Sequence, residues 1–146
     1  MKALIQRVKR ASVTVEGDVI SKIGAGMLVF LGVEKGDTSE NADKLADKLV
    51  KLRIFEDENE KMNFSIIDTK GEMLVVSQFT LCGDCKKGTR PSFDKAAEPK
   101  IANELYEYFV SRLVNVHNIP CQTGKFGAMM DVELINDGPV TFMVEK

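Results

Sequence analysis

The sequence predicts a single α+β domain over residues 1–146, with a mostly antiparallel sheet curled barrel-like and two main helices. Three observations predict it. Short β-type runs bounded by Gly, Asp and Asn fill both ends of the chain. Two segments carry apolar side chains at helical spacing. The order is then strands, helix, strands, helix, strands. A chain of 146 residues buries roughly 68–70% of its unfolded surface, so a normal core forms without staples.

The elements follow in order. Residues 2–15 alternate as a strand, with Ala3, Ile5 and Arg7 on one side and Leu4, Gln6 and Val8 on the other. Ser12 to Val15 ends at the turn signal Glu16-Gly17-Asp18, Val19 to Ile23 reads as a short strand, and Gly24-Ala25-Gly26 punctuates it. Met27 to Val33 is a continuous apolar run, the pattern of a strand covered on both faces. Asp37 with Glu40 predicts a variant capping box, opening a helix with the stripe Ala42, Leu45, Ala46, Leu49 and Leu52. Arg53-Ile54-Phe55 leads into a polar loop, Glu56 to Lys61. Ile66-Ile67 and Met73 to Phe79 read as strands around Thr69-Lys70-Gly71. Residues 82–99 form a long loop, a length associated with function or disorder. A second helix opens near Pro99 with the stripe Ile101, Leu105, Phe109, Leu113 and Val116. Asp131 to Ile135 and Val140 to Val144 read as two strands joined through Asn136-Asp137-Gly138-Pro139.

Composition excludes several classes. Hydrophobic residues make up 44%, ordinary globular usage. The longest apolar run falls far short of the roughly 20 residues that a spanning helix needs, and the first residues lack a hydrophobic segment of signal-peptide length. A cytoplasmic location without membrane contact is the expectation. Twenty basic against 22 acidic residues give a formal charge of −2, so a long grip on nucleic acid is not expected, while contact with one end of an RNA is compatible. Lys86, Lys87 and Arg90 form a local basic cluster, as do Arg7, Lys9 and Arg10; solvated surface is the plain alternative for each.

Familiar catalytic sets are missing. The lone histidine, His117, falls at the end of the second helix, where complementing the helix dipole is its commoner role than serving Ser77 in a triad. No phosphate-binding glycine loop occurs. Three cysteines, an odd number, argue against a disulfide framework. Cys82-x-x-Cys85 with His117-x-x-x-Cys121 has the count and spacing of a zinc site, provided that the halves meet in space. No cofactor is otherwise implied, and free cysteines are the default.

The stretch Val75 to Leu81, VVSQFTL, stands out, because a core strand runs into Ser77, Gln78 and Thr80, broken only by Phe79. Two accounts fit. Ser77 and Thr80 terminate the strand by bonding nearby backbone, or main-chain N–H groups here polarise a carbonyl without a catalytic side chain.

Ser77-Gln78-Phe79-Thr80 together with Asn136-Asp137-Gly138-Pro139-Val140-Thr141 resembles the signature pair of the D-aminoacyl-tRNA deacylase family. The similarity continues through Ala3 to Val8, Leu52 to Asp57, Lys61-Met62-Asn63, Lys87 to Phe93 and Thr123 to Ala128. The resemblance implies a homodimeric esterase that frees D-amino acids, and mischarged glycine, from the 3′-terminal adenosine of tRNA. It implies main-chain donors at Phe79 and Thr80, with Ser77 and Gln78 shaping the adenosine end, and water assisted by the ribose 2′-hydroxyl as the attacking chemistry. It further implies a cis Gly138-Pro139 peptide entering the other subunit's site, its two carbonyls rejecting an L-side chain. Arg7 would help fix that loop across the dimer, and Phe126 and Met130 would line its surroundings; for these two, core packing is an equal alternative. Many members of the family carry a Tyr-Ala-Asp-like stretch where this chain has Cys82-Gly83-Asp84-Cys85. The other class kept open is a non-catalytic RNA-binding module stabilised by a Cys/His zinc site.

Overall fold

The computed structural model describes residues 1–146. Strand β1 (Lys2–Val15) is its hub. One edge of β1 pairs antiparallel first with β3 (Gly26–Gly32) and then with β2 (Asp18–Ile23); β8 (Asp131–Glu145) runs antiparallel along the rest. Strand β3 continues the sheet in parallel to β6 (Glu72–Ser77), and β6 in parallel to β7 (Cys121–Thr123). The sheet curls nearly closed, barrel-like, as the sequence predicts. The apolar run at Met27 becomes β3, whose interior position between β1 and β6 suits near-continuous hydrophobicity.

The larger core lies between the sheet and the two long helices, α1 (Ser39–Lys51) and α3 (Pro99–Asn115). From α1, Ala42, Leu45, Ala46, Leu49 and Val50 are buried; each large apolar side chain so buried stabilises by roughly 1.5–3 kcal/mol. The opposite sheet face holds a smaller core of Val8, Ala11, Val13, Leu28, Leu74 and Val76 among others.

Four local expectations are corrected. The capping box of α1 is Thr38 with Asn41, whose Oδ1 accepts from Thr38 N at 2.9 Å. Asp37 instead accepts from the Glu34 N–H at 2.7 Å and shapes the preceding turn. Ile66-Ile67 is not a strand but opens the short helix α2 (Ile66–Thr69). Ser65 and Asp68 cap it reciprocally, at 2.8 and 3.3 Å, and this overrides the strand preference of the paired isoleucines. The buried stripe of α3 is Ala102, Tyr106, Phe109 and Leu113, which leaves Ile101 and Val116 on the exposed side. Finally, β8 is one strand rather than two. Gln6 pairs Thr141 and Val8 pairs Asn136, so residues 137–140 bulge out opposite Arg7 while β1 stays paired with both flanks.

The polar loop after Phe55 is braced by two short strands, β4 (Phe55–Glu56) and β5 (Met62–Phe64).

Candidate active site

The turn after β6 has a defined stock of donors. Phe79–Cys82 forms a 3-10 turn. The N–H of Gln78 is taken by Leu31 O at 2.8 Å, and that of Leu81 by Gln78 O at 3.2 Å. Phe79 and Thr80 occupy the first two positions of the turn, where helix geometry supplies no internal acceptor. Gly32 on β3 lets this turn sit close: a Cβ there would meet Leu81 Cβ at 3.1 Å, Cys82 Sγ at 3.2 Å and Gln78 O at 3.2 Å. The side chains above the turn are half-buried or exposed, and Phe79 meets Phe93 edge-on at 5.0 Å. Gln78 Nε2 donates to the Thr80 hydroxyl oxygen. No base bonds the Thr80 hydroxyl.

The bulge of β8 is held from two sides. Asn136 Nδ2 donates to Arg7 O at 3.0 Å and to Val140 O at 2.9 Å, closing the bulge across its neck. Arg7 is 3% exposed. Its Nη1 donates to Ile54 O at 2.7 Å and its Nε to Asp137 O at 3.2 Å, and Nη2 pairs with Glu56 at 3.3 Å. A buried guanidinium needs such partners, since an unpaired charge there would be costly. Gly138 has φ +120°, and its peptide to Pro139 is cis. A cavity of about 370 Å³ beside this cluster is lined by Arg7, Phe55, Glu56, Lys70 and Asp137 among others.

The two motifs are not brought together within one chain. The bulge lies level with Arg7, Met27 and Met73, whereas Ser77 lies level with Leu31. Four residues of strand rise and three strand spacings separate them, about 13 Å along and about 14 Å across the sheet. Phe126 and Met130 lie beside β6 and α3 rather than against Gly138. Phe126 packs on Tyr106 with ring centroids 6.1 Å apart, and Met130 lies against Gly124 and Val76. Burial pushes the Tyr106 hydroxyl up to about 12; it donates to Val75 O at 2.7 Å.

The zinc alternative is not assembled. Cys82 is buried against Val33 O, Cys85 is exposed, Cys121 is half-buried, and no three metal-ligating side chains gather anywhere. His117 Nε2 lies 2.7 Å from Asp47 Oδ1, so it neither joins the cysteines nor reaches Ser77. Partial burial pushes the Asp47 carboxyl up, but hydrogen bonds from His117 and Arg112 outweigh it and hold the group below its usual range. Burial pushes the Cys121 thiol up to about 12 and raises that of Cys82 as well. Sequence reasoning missed the parts that brace the site: Asn136 as a neck clamp, the Ile54 carbonyl, Glu56, and Gly32. Only Gly32 and Asn136 carry a residue-type signal.

A turn with two unconsumed backbone donors and no nucleophile–base pair beside it is compatible with hydrolysis of an ester through a polarised carbonyl. The model of the D-Tyr-tRNA(Tyr) deacylase family matches residues 4–145. A D-aminoacyl-tRNA deacylase of Geotalea daltonii is 59% identical over 145 residues, covering 99% of this chain and 96% of that protein. One from Haemophilus influenzae is 58% identical over 142 residues, 97% of each chain. Among solved structures, the c-Myc DNA unwinding element binding protein is 43% identical with a TM-score of 0.94, covering 100% of this chain and 99% of that one. A probable eukaryotic D-amino acid tRNA deacylase shares the fold at 17% identity and TM-score 0.83, over 99% and 98% of the two chains. The chain belongs to the D-Tyr-tRNA(Tyr) deacylase family. It is an enzyme, a hydrolase whose activity is D-aminoacyl-tRNA deacylation. No helix is long and apolar enough to cross a membrane.

Proposed function

We propose that the Phe79 and Thr80 N–H groups bind the scissile carbonyl of a D-amino acid esterified to the 3′-terminal adenosine of tRNA. Ser77 and Gln78 shape the adenosine side. The observation that carries this is the donor inventory of the turn: Leu31 and Gln78 consume the flanking N–H groups, and no backbone acceptor takes those of Phe79 and Thr80. One such donor is typically worth about 2.7–4 kcal/mol to an oxyanion transition state. Water attacks, assisted by the ribose 2′-hydroxyl of the substrate, as the family resemblance implies. With Gln78 Nε2 donating into its oxygen and no base beside it, the Thr80 hydroxyl is a poor nucleophile.

Chirality is set by the carbonyls of Gly138 and Pro139, delivered by the bulge of a second subunit. The wide separation of bulge and turn within one chain favours this arrangement over a site built in one subunit. The homodimer is favoured by β8 itself, which exposes Ile135, Phe142 and Met143 and pairs only with β1. Discrimination then comes from rejection: an L-side chain meets main chain clamped by Arg7 and Asn136. Glycine has no side chain to exclude, so mischarged glycyl-tRNA is also a substrate. Phe126 and Met130 complete the wall beside β6.

The test is hydrolysis of D-tyrosyl-tRNA and L-tyrosyl-tRNA side by side, with and without chelator. Loss of the D-ester alone, insensitive to chelator, is expected. Equal hydrolysis of both esters would remove the filter, and loss of activity with chelator would remove the metal-free mechanism.

A further inference from the structure

The loop between the 3-10 turn and α3 carries a feature that ester chemistry does not use. Asp84 and Ser92 exchange backbone hydrogen bonds of 2.8 and 3.0 Å, so residues 85–91 form a closed tip. Lys86, Lys87 and Arg90 sit exposed on that tip, and with Lys95 they line a cavity of about 280 Å³ that has no hydrophobic lining residue.

None of these four cations takes part in a salt bridge, although the protein forms ion pairs around Arg7, Arg10, Lys44 and Arg112. The two acids in the same cavity are otherwise engaged. Asp84 Oδ1 accepts from the Lys86 N–H at 2.9 Å, and Asp94 Oδ2 accepts from the Ser92 hydroxyl at 2.8 Å. They shape the loop and offset part of its charge, so the four cations against these two carboxylates leave the lining at a net +2. On a chain of net charge −2, this is a local excess of positive charge held in a fixed place.

Its place matters. Phe93, one residue beyond the closing bridge, packs edge-on against Phe79, and a Cβ at Gly83 would meet Phe93 Cε1 at 3.0 Å. The tip is therefore tied to the residues that, on the proposed function, receive the ester.

We infer that Lys86, Lys87 and Arg90 form a phosphate-binding tip that grips the acceptor-stem backbone of the same tRNA whose 3′ end lies over Phe79 and Thr80. This rests on the turn being the ester site. From Lys86 to Arg90 the chain spans at most about 14 Å, a reach suited to a few consecutive phosphates and no more. Phosphate contacts position a substrate without reading its sequence, so the tip fixes register while the turn and the filter do the selecting. It also reconciles an acidic protein with a polyanionic substrate, because a few contacts suffice.

The test uses the full chain with Lys86, Lys87 and Arg90 all changed to Gln, and two readouts. Binding of uncharged tRNA across a salt series reads the tip whether or not hydrolysis occurs. Each lost phosphate contact flattens the slope of log K against log salt by about 0.7–0.9, so the triple variant is expected to lose about 2–3 from that slope. Hydrolysis of a 3′-O-D-tyrosyl-adenosine ester, which has no acceptor stem, is expected to stay within twofold of the wild type. An unchanged salt slope overturns the inference. So does a parallel loss on the adenosine ester, which would mean that the turn had been disturbed. Failure of the wild type to cleave either ester would count against the proposed function alone, since the binding arm still decides the tip.

Discussion

Gly138→Ala probes the proposed filter and its scaffold in one substitution. At φ +120° an L-residue pays backbone strain of about 1–3 kcal/mol. The new Cβ would also lie 2.8 Å from Arg7 Nη2 and 3.0 Å from Val140 Cγ2. The guanidinium cannot retreat freely, because Nη1 is held on Ile54 O at 2.7 Å and Nε on Asp137 O. Surrendering one such charge-assisted bond costs about 1.5–3 kcal/mol. The expected loss of stability is therefore about 3 kcal/mol or more, read as a lowered urea midpoint at fixed protein concentration, which matters for a dimer. The ratio of kcat/KM for D- over L-tyrosyl-tRNA should fall at least tenfold, about 1.4 kcal/mol of lost discrimination. Gly36→Ala is the control: φ is +90° with nothing within 4 Å, so strain is introduced without contact and selectivity should not move. Arg7→Lys keeps Gly138 and the positive charge but loses the fork, and should relax selectivity in the same direction if Gly138→Ala proves too unstable to assay. A folded Gly138→Ala protein with an unaltered D/L ratio would refute the filter assignment.

Thr80→Ala should retain activity within about tenfold of the wild type, because the N–H survives the substitution; single-turnover loss of more than a thousandfold in a folded variant would restore the hydroxyl as nucleophile. Asp47→Asn tests by pH the clamp that Asp47 on α1 forms with Arg112 on α3 and with His117. A carboxyl whose folded pKa lies below the unfolded value of about 3.9 contributes stability that is present above that pH and lost as pH falls through the lower folded value. The difference in urea midpoint between wild type and Asp47→Asn should accordingly be full at pH 6 and shrink below about pH 4, and a difference constant down to pH 3 would be inconsistent with the clamp. A thiol reagent at pH 8 should label exposed Cys85 and spare Cys82 and Cys121, which burial keeps protonated. Chelator should leave the melting temperature unmoved; a drop of several degrees would revive a metal role for these cysteines.

The legible parts of the fold were those whose pattern has one dominant cause. The stripe Ala42–Leu49 reflects a single buried face, and β1 lies where its alternation puts it, although its buried residues switch from the larger core at Ala3 and Ile5 to the smaller one at Val8, Ala11 and Val13. The structure departs from the local pattern where two local preferences compete. Ile66-Ile67 has strand propensity, yet Ser65 and Asp68 satisfy the donors of a helical turn at a position too short to pair as a strand. In α3 both Ile101 and Ala102 fit a helical stripe, and only packing against the sheet selects the phase that buries Ala102, Tyr106 and Phe109. The parallel pairing of β3, β6 and β7 depends on contacts between residues far apart in the chain, which no local window contains.

The site is a harder case, for a physical reason. A main-chain N–H is carried by every residue but proline, so an active site made of such groups leaves no residue-type signature of its own. Composition can report only what forces the backbone into shape. Gly32 opens room for the turn, Asn136 bridges the neck of the bulge, and Arg7 ties the bulge to Ile54 just ahead of β4. Each acts one step away from the atoms that would touch substrate. That division suits discrimination by exclusion. A side chain that blocks an L-substituent can escape by changing rotamer at a cost of order 1 kcal/mol, whereas a carbonyl held at both shoulders of a bulge moves only if several hydrogen bonds break together. The rigidity of the proposed filter therefore resides in Arg7 and Asn136, and substitutions there should damage selectivity more than the rate on the D-ester.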